Sequence, residues 1–272
     1  MARPPWRTDP TRQTGGMSTL RLLGLGWLFH VKGLTASGFF VLTSTIQPVI
    51  FATIAFFMFE AGARPGTLLY VALGAGLMGV WSSTLFGAGG AIQWQRWQGT
   101  LELTIAAPAP FLLVMIPITI SAASIGLYSI AATLFWGRVF FGVPLHFAHP
   151  WLFALALPTT LLGLGLLGLV MASTFILYRQ ASAFQNLLEY PVWLVTGLLV
   201  PLALLPVWVT PIAWLLAPYW GMRAIRHSAL GGDSLAAIGM CVALAAVYLV
   251  LGAVFLANFE RLARKHATLS LT

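Results

Sequence analysis

The polar side chains of this chain are few, and each can be asked what chemistry it could do. The densest group is "AIQWQRWQGTLELTIAAPAP", residues 91 to 110, where Trp94, Arg96, Trp97, Gly99, Thr100 and Glu102 lie between two long uncharged runs. Trp94, Trp97 and Leu101 recur at steps of three and four, so on a short helix they project from one side while Gln93, Arg96 and Gln98 spread around it. Aromatic and Arg side chains on an exposed loop are the types enriched where proteins bind one another. The same residues also suit an anchor at a membrane surface, with Arg96 snorkelling to water, and composition does not separate the two readings.

Catalytic chemistry finds little to work with. Of His30, His146, His149, His227 and His266, only the His-x-x-His of "PLHFAHP" has a suggestive spacing, and zinc demands more ligands than that. Solvated loop histidines are the expectation, and no metal site is assigned. "WSSTLF" has hydroxyls but neither a Gly-x-Ser-x-Gly turn nor a histidine on its own run, so close helix packing explains its small residues better than a nucleophile does. Cys241 is the single cysteine and lies in an apolar run, which excludes an intrachain disulfide and a cysteine metal site. No Gly-x-x-x-x-Gly-Lys-Ser/Thr occurs, so the chain does not cradle ATP in a P-loop and has no cofactor of its own. Energy, if used, comes from a partner.

The elements that carry these residues follow from composition. With 59% hydrophobic and 7% charged residues, the chain has far more apolar surface than a soluble core hides, and it belongs in a bilayer as an all-α polytopic protein. Its net charge of +8 comes from basic residues at the ends of apolar runs rather than along one face, which argues topology and not nucleic acid. A span needs about 20 mainly apolar residues, and the charge-poor intervals place six, at 38–59, 67–90, 108–136, 151–177, 187–206 and 235–257. This puts ten Lys and Arg on one side, including Arg96 and Arg179, against Arg64, Arg138, Arg223 and Arg226 on the other, so the first side is expected to be cytoplasmic and to hold both termini.

Residues 1–16, rich in Pro and Arg without an apolar core, are expected to be a disordered cytoplasmic leader rather than a secretory signal, with Met17 an alternative start and 266–272 a cytoplasmic tail. Leu20, Leu23, Trp27, Val31 and Leu34 recur at helical steps, which reads as an interfacial helix before the first span or as an extension of that span. Pro191, Pro201, Pro206, Pro211 and Pro218 rule out one straight helix over 190–222. The expected outcome is a span ending near Pro206 and then a broken re-entrant or interfacial segment on the outer side, carrying Trp208 and Trp214 at headgroup level. The spans as placed hold no Asp, Glu, Lys or Arg in their interiors, with Glu60, Glu189 and Glu260 at ends, which argues against a proton-driven secondary transporter or channel and against an intramembrane aspartyl protease.

Two stretches carry a family resemblance. "RWQGTLELTIAAPAPFLL" resembles the segment leading into the third span of ABC-2-type transporter permeases, and "LLEYPVWLVTGLLVPLALLPVWVTPIAWLLAPYWGMRAIR", residues 187–226, resembles their fifth span with the Pro-rich segment and closing Arg that follow. The resemblance covers nearly all of residues 17–265. It implies the membrane-spanning subunit of an ATP-binding-cassette exporter for a drug, lipid or lipid-linked glycan, in the cell's inner (plasma) membrane. It also implies a second permease, identical or paralogous, and separate ATPase subunits that bind ATP and Mg. Trp94, Arg96, Trp97, Gly99, Thr100 and Glu102 would form the coupling helix seated on the ATPase subunit, and Pro206, Trp208, Pro211, Trp214 and Pro218 the outer gate. One departure is Gln95, where many relatives carry an acid ahead of the basic residue.

Overall fold

The computed structural model of the chain describes residues 19–60, 66–91, 95, 97–99, 110–175, 181–198 and 202–266. Among these there is helix and no strand. In order they are α1 (Thr19–Ala36), α2 (Gly38–Glu60), α3 (Gly66–Gly87), α4 (Phe111–Ile125), α5 (Leu127–Phe141), α6 (Pro150–Phe175), α7 (Ala181–Val195), α8 (Val209–Trp214), α9 (Ala217–Leu230) and α10 (Leu235–His266). Among the described residues five stretches are long and apolar enough to cross a membrane: Phe40–Met58, Leu68–Gly87, Phe111–Phe141, Pro150–Phe175 and Leu235–Phe259. The third of these is α4 and α5 end to end, broken only at Gly126, whose missing Cβ lets α3 approach at Val80.

α3 is the axis of the bundle. Buried residues make up 89% of its apolar stretch, against 22% in α2 and 28% in α10. Small residues make this position available: a Cβ on Gly76 would meet Thr133 and Ile130 of α5, and one on Gly87 would meet Ala122 of α4. Without a hydrophobic force between helices in lipid, such close backbone approach is what holds them together. α6 packs against α4, α9 and α10, while α2 closes the other flank against α3 and α5.

The proline of α2 shows how the backbone is kept satisfied. Pro48 lies inside the helix and has no N–H, so the carbonyl of Ser44, four residues earlier, loses its helical partner. The hydroxyl of Ser129 on α5 donates to that carbonyl, and Gly79 of α3 leaves room for both side chains. Trp136 Nε1 adds a second pin, donating to Thr53 Oγ1 at 2.9 Å. Ser129→Ala should therefore cost about 1 kcal/mol, and much less in a Pro48→Ala background where the helix supplies its own donor. Thermal unfolding of both single variants and the double variant checks this, and simple additivity would sink it.

α1 is a separate helix, parted from α2 at Ser37. Trp27 Nε1 donates to Ser124 Oγ at 3.1 Å, and Gly26 lies against Pro117, so α1 packs on α4. Leu23, Val31 and Leu34 of the expected apolar face turn inward with it, whereas Leu20 stays 82% exposed. The leader 1–16 and residues 267–272 lie outside the described residues.

The fifth expected span, 187–206, is not one continuous helix: the described part, α7, has 15 residues and stops well before Pro206. Its end is a glycine cap: Gly197 sits at φ 77, Leu198 N–H reaches the carbonyl of Trp193 at 3.1 Å, and Gly197 N–H that of Leu194 at 3.3 Å.

Candidate functional site

The segment after α3 continues as tight turns, with Ala91 N–H on the Ala88 carbonyl at 3.2 Å. Of the residues expected to couple to a partner, Trp97 is 70% exposed, and Gly99 is exposed at φ 67, a left-handed conformation that suits glycine. Trp94, Arg96, Thr100 and Glu102 lie outside the described residues. Trp97 and Gln95 border a cavity of about 640 Å3 that also takes in His30 of α1, Phe40 of α2, Phe86 of α3 and Gln185 of α7. Burial holds His30 below the ordinary imidazole value. The exposed tryptophan and the cavity thus share one end of the bundle, where α1 docks.

Running away from that end, α7 is antiparallel to α3. Gln185 lies near Gly89 and Gly90, Glu189 near Ser82, and Leu198 near Gly74. Glu189 is 3% exposed, with its Oε1 accepting from Ser82 Oγ at 2.6 Å and from Gln47 Nε2 of α2 at 3.3 Å. Glu189 was expected at the start of a span at residue 187, and the structure sets it further along a helix. Because α7 begins at Ala181, Glu189 falls in its middle, facing two other helices.

Where α7 stops, a cation takes over. Arg226 of α9 is 7% exposed, with Nη1 on the Gly197 carbonyl at 3.1 Å, Nη2 on the Leu198 carbonyl at 3.4 Å, and its guanidinium 3.2 Å from the ring centroid of Tyr70. Carbonyls at a helix C-terminus carry partial negative charge, and an aromatic face attracts a planar cation, so all three contacts favour the charged side chain. Arg226 is therefore an internal residue of α9.

The Pro-rich segment returns the chain to the end it was approaching. Pro206 opens a turn through Val209 N–H at 3.0 Å, Trp208 is 66% and Trp214 53% exposed, and Pro211 is exposed within α8. Pro218, by contrast, is buried in the first turn of α9, where its missing N–H costs nothing. Tyr248, near the middle of α10, donates to the Leu215 carbonyl at 2.6 Å and accepts from Ala217 N–H at 3.2 Å, so the turn into α9 is pinned deep in the bundle. α9 then climbs to where α6 begins, with His149 N–H on the Ser228 carbonyl at 2.9 Å. Of the five expected gate residues, four are exposed on this turn and one anchors the helix that leaves it. Glu189 and Arg226 were the residues that sequence reasoning missed.

A helix that stops inside the bundle, capped by a buried Arg and followed by a returning helix, is an arrangement suited to lining a path rather than to catalysis. Among the described residues no group of His, Cys, Asp or Glu could hold a metal ion. No curated protein matches the sequence. The description "ABC-2 type transporter" matches residues 32–230, from the last turn of α1 through α9, and the chain accordingly belongs to that family of multi-pass membrane permeases, which lack an ATPase site.

Proposed function

We propose that this chain is the membrane-spanning subunit of an ATP-driven exporter, working with a second permease, by symmetry a copy of itself, and with separate ATPase subunits. Residues 94–102 rest on the ATPase subunit on the cytoplasmic side. Closure of the ATPase pair on ATP moves them, and Pro206, Trp208, Pro211, Trp214 and Pro218 gate release on the outer side. ATP shifts such an equilibrium only by its different affinity for the two states, which the coupling segment transmits. The substrate is a hydrophobic or amphiphilic molecule, a drug, a lipid or a lipid-linked glycan. The reading rests chiefly on the family match over residues 32–230, supported by an exposed Trp97 on the segment that follows α3.

A partner-free secondary transporter is the competing reading, and the buried Glu189 is the group it would use. Mass analysis of the intact complex, purified gently through this chain, separates them. Two copies with two ATP-binding subunits are expected. One copy beside a related permease and two such subunits would revise only the pairing, whereas repeated purification without any ATPase would move the secondary transporter to the front.

A further inference from the structure

Between the first half of α3, the end of α7 and α9 there is a bowl of about 370 Å3, open at the end of the bundle away from α1. Arg223, Arg226 and His227 line it from α9, joined by Tyr70 of α3 and Tyr219. Residues three and four apart on a helix share one side, so the i, i+3, i+4 spacing of the three basic residues points them into one space.

No carboxylate among the described residues meets these cations. Among the described residues Arg226 meets backbone carbonyls and Tyr70, and its Nε, also buried, has no acceptor. Arg223 is exposed, with its guanidinium 5.7 Å from the Trp220 ring centroid. Asp233, the acid nearest in sequence, accepts from Ala236 N–H at 3.4 Å with Oδ1 to cap α10, and it gives His227 Nδ1 only its main-chain carbonyl at 3.0 Å. The result is a concave site with two guanidiniums, one buried and one exposed, and two phenols able to donate hydrogen bonds. Guanidinium paired with phosphate or carboxylate in such a recess forms short, charge-assisted bonds.

We propose that this bowl binds an oxyanion of the phosphate class, with Arg226 supplying a fixed positive field and Arg223 the direct, two-pronged contact. The phosphate comes either from solution or from the headgroup of a phospholipid, and the site stands independently of any ATPase partner. Arg226 also holds the end of α7, so its removal confuses binding with folding. Arg223→Gln is the informative change, and Arg138→Gln, which alters a cation at the last turn of α5 near the same end, is the control for general charge.

The test uses the full-length chain in discs of neutral phosphatidylcholine, titrated with inorganic phosphate by calorimetry. A second set of discs contains phosphatidylglycerol, with lipid retention read by native mass spectrometry. Saturable phosphate binding that weakens about tenfold or more in Arg223→Gln and is unchanged in Arg138→Gln assigns a site for free oxyanion. No response to phosphate, together with phosphatidylglycerol retained by the wild type and lost in Arg223→Gln alone, assigns a lipid headgroup. Binding of neither probe, binding that Arg223→Gln leaves intact, or an equal loss in Arg138→Gln overturns the proposal.

Discussion

Arg226→Met is expected to lower the thermal unfolding midpoint by roughly 10 °C, corresponding to about 3 kcal/mol at this chain length. The opposing effect is real. A buried cation is costly to desolvate, and replacing an ion by an apolar side chain of similar volume is often neutral or stabilising. What decides the sign here is the company Arg226 keeps. Its two Nη groups satisfy the carbonyls of Gly197 and Leu198, which no helical N–H can reach once α7 has stopped at the glycine cap. Each orphaned carbonyl costs about 1–3 kcal/mol away from water, and Met also forfeits the attraction of the Tyr70 ring. Lys should fall between, since a single ammonium does not span both carbonyls and stack on a ring.

The same joint can be broken from α3. A Cβ on Gly74 would lie 2.6 Å from Arg226 Nη2 and 2.8 Å from the Leu198 carbonyl oxygen, and the second of these is backbone that does not swing aside. Gly74→Ala should thus lose part of what Arg226→Met loses, and the double variant should be well short of the sum. Full additivity, or an Arg226→Met protein as stable as wild type, would mean that the end of α7 is held by something else.

How much of this was legible depended on the kind of signal. Apolar runs long enough to span are visible wherever they occur, because hydrocarbon demands about 20 such residues whatever the neighbours; α2, α3, α6 and α10 fall close to the expected positions. Which of them lies at the centre was not visible from apolarity, which α2 and α3 share. The Gly74, Gly76 and Gly79 series that lets partners approach α3 only acquires meaning once those partners are known. The break at Gly197 was present in "TGLLVP", yet hydropathy carried the expected helix through to Pro206. Gly in the left-handed conformation costs little, so a helix can end there without any strong signal in hydropathy. The burial of Glu189 and Arg226 was not legible for a related reason. Charge rules assign isolated ions to the ends of spans, and they fail where a short helix and a returning helix bring ions inside, among donors and carbonyls that satisfy them.

Trp97→Ala and Glu102→Ala are expected to lower substrate-stimulated ATP hydrolysis by about tenfold or more, the effect of losing an interface anchor worth about 2 kcal/mol. The permease itself should remain folded in membranes. Trp97 is 70% exposed on the segment after α3, so its removal opens no core. A tryptophan that serves only as an anchor in the lipid headgroups predicts something different: Phe would replace it well, and ATPase stimulation would survive Ala. Glu102 sharpens the distinction, because a carboxylate gains nothing at an anionic membrane surface but can pair with a cation on a protein. Loss of stimulation in both variants, with binding of the ATPase subunit weakened in parallel, is what coupling requires. Normal stimulation in both would remove Trp97 and Glu102 from the coupling role and return the segment to the membrane surface.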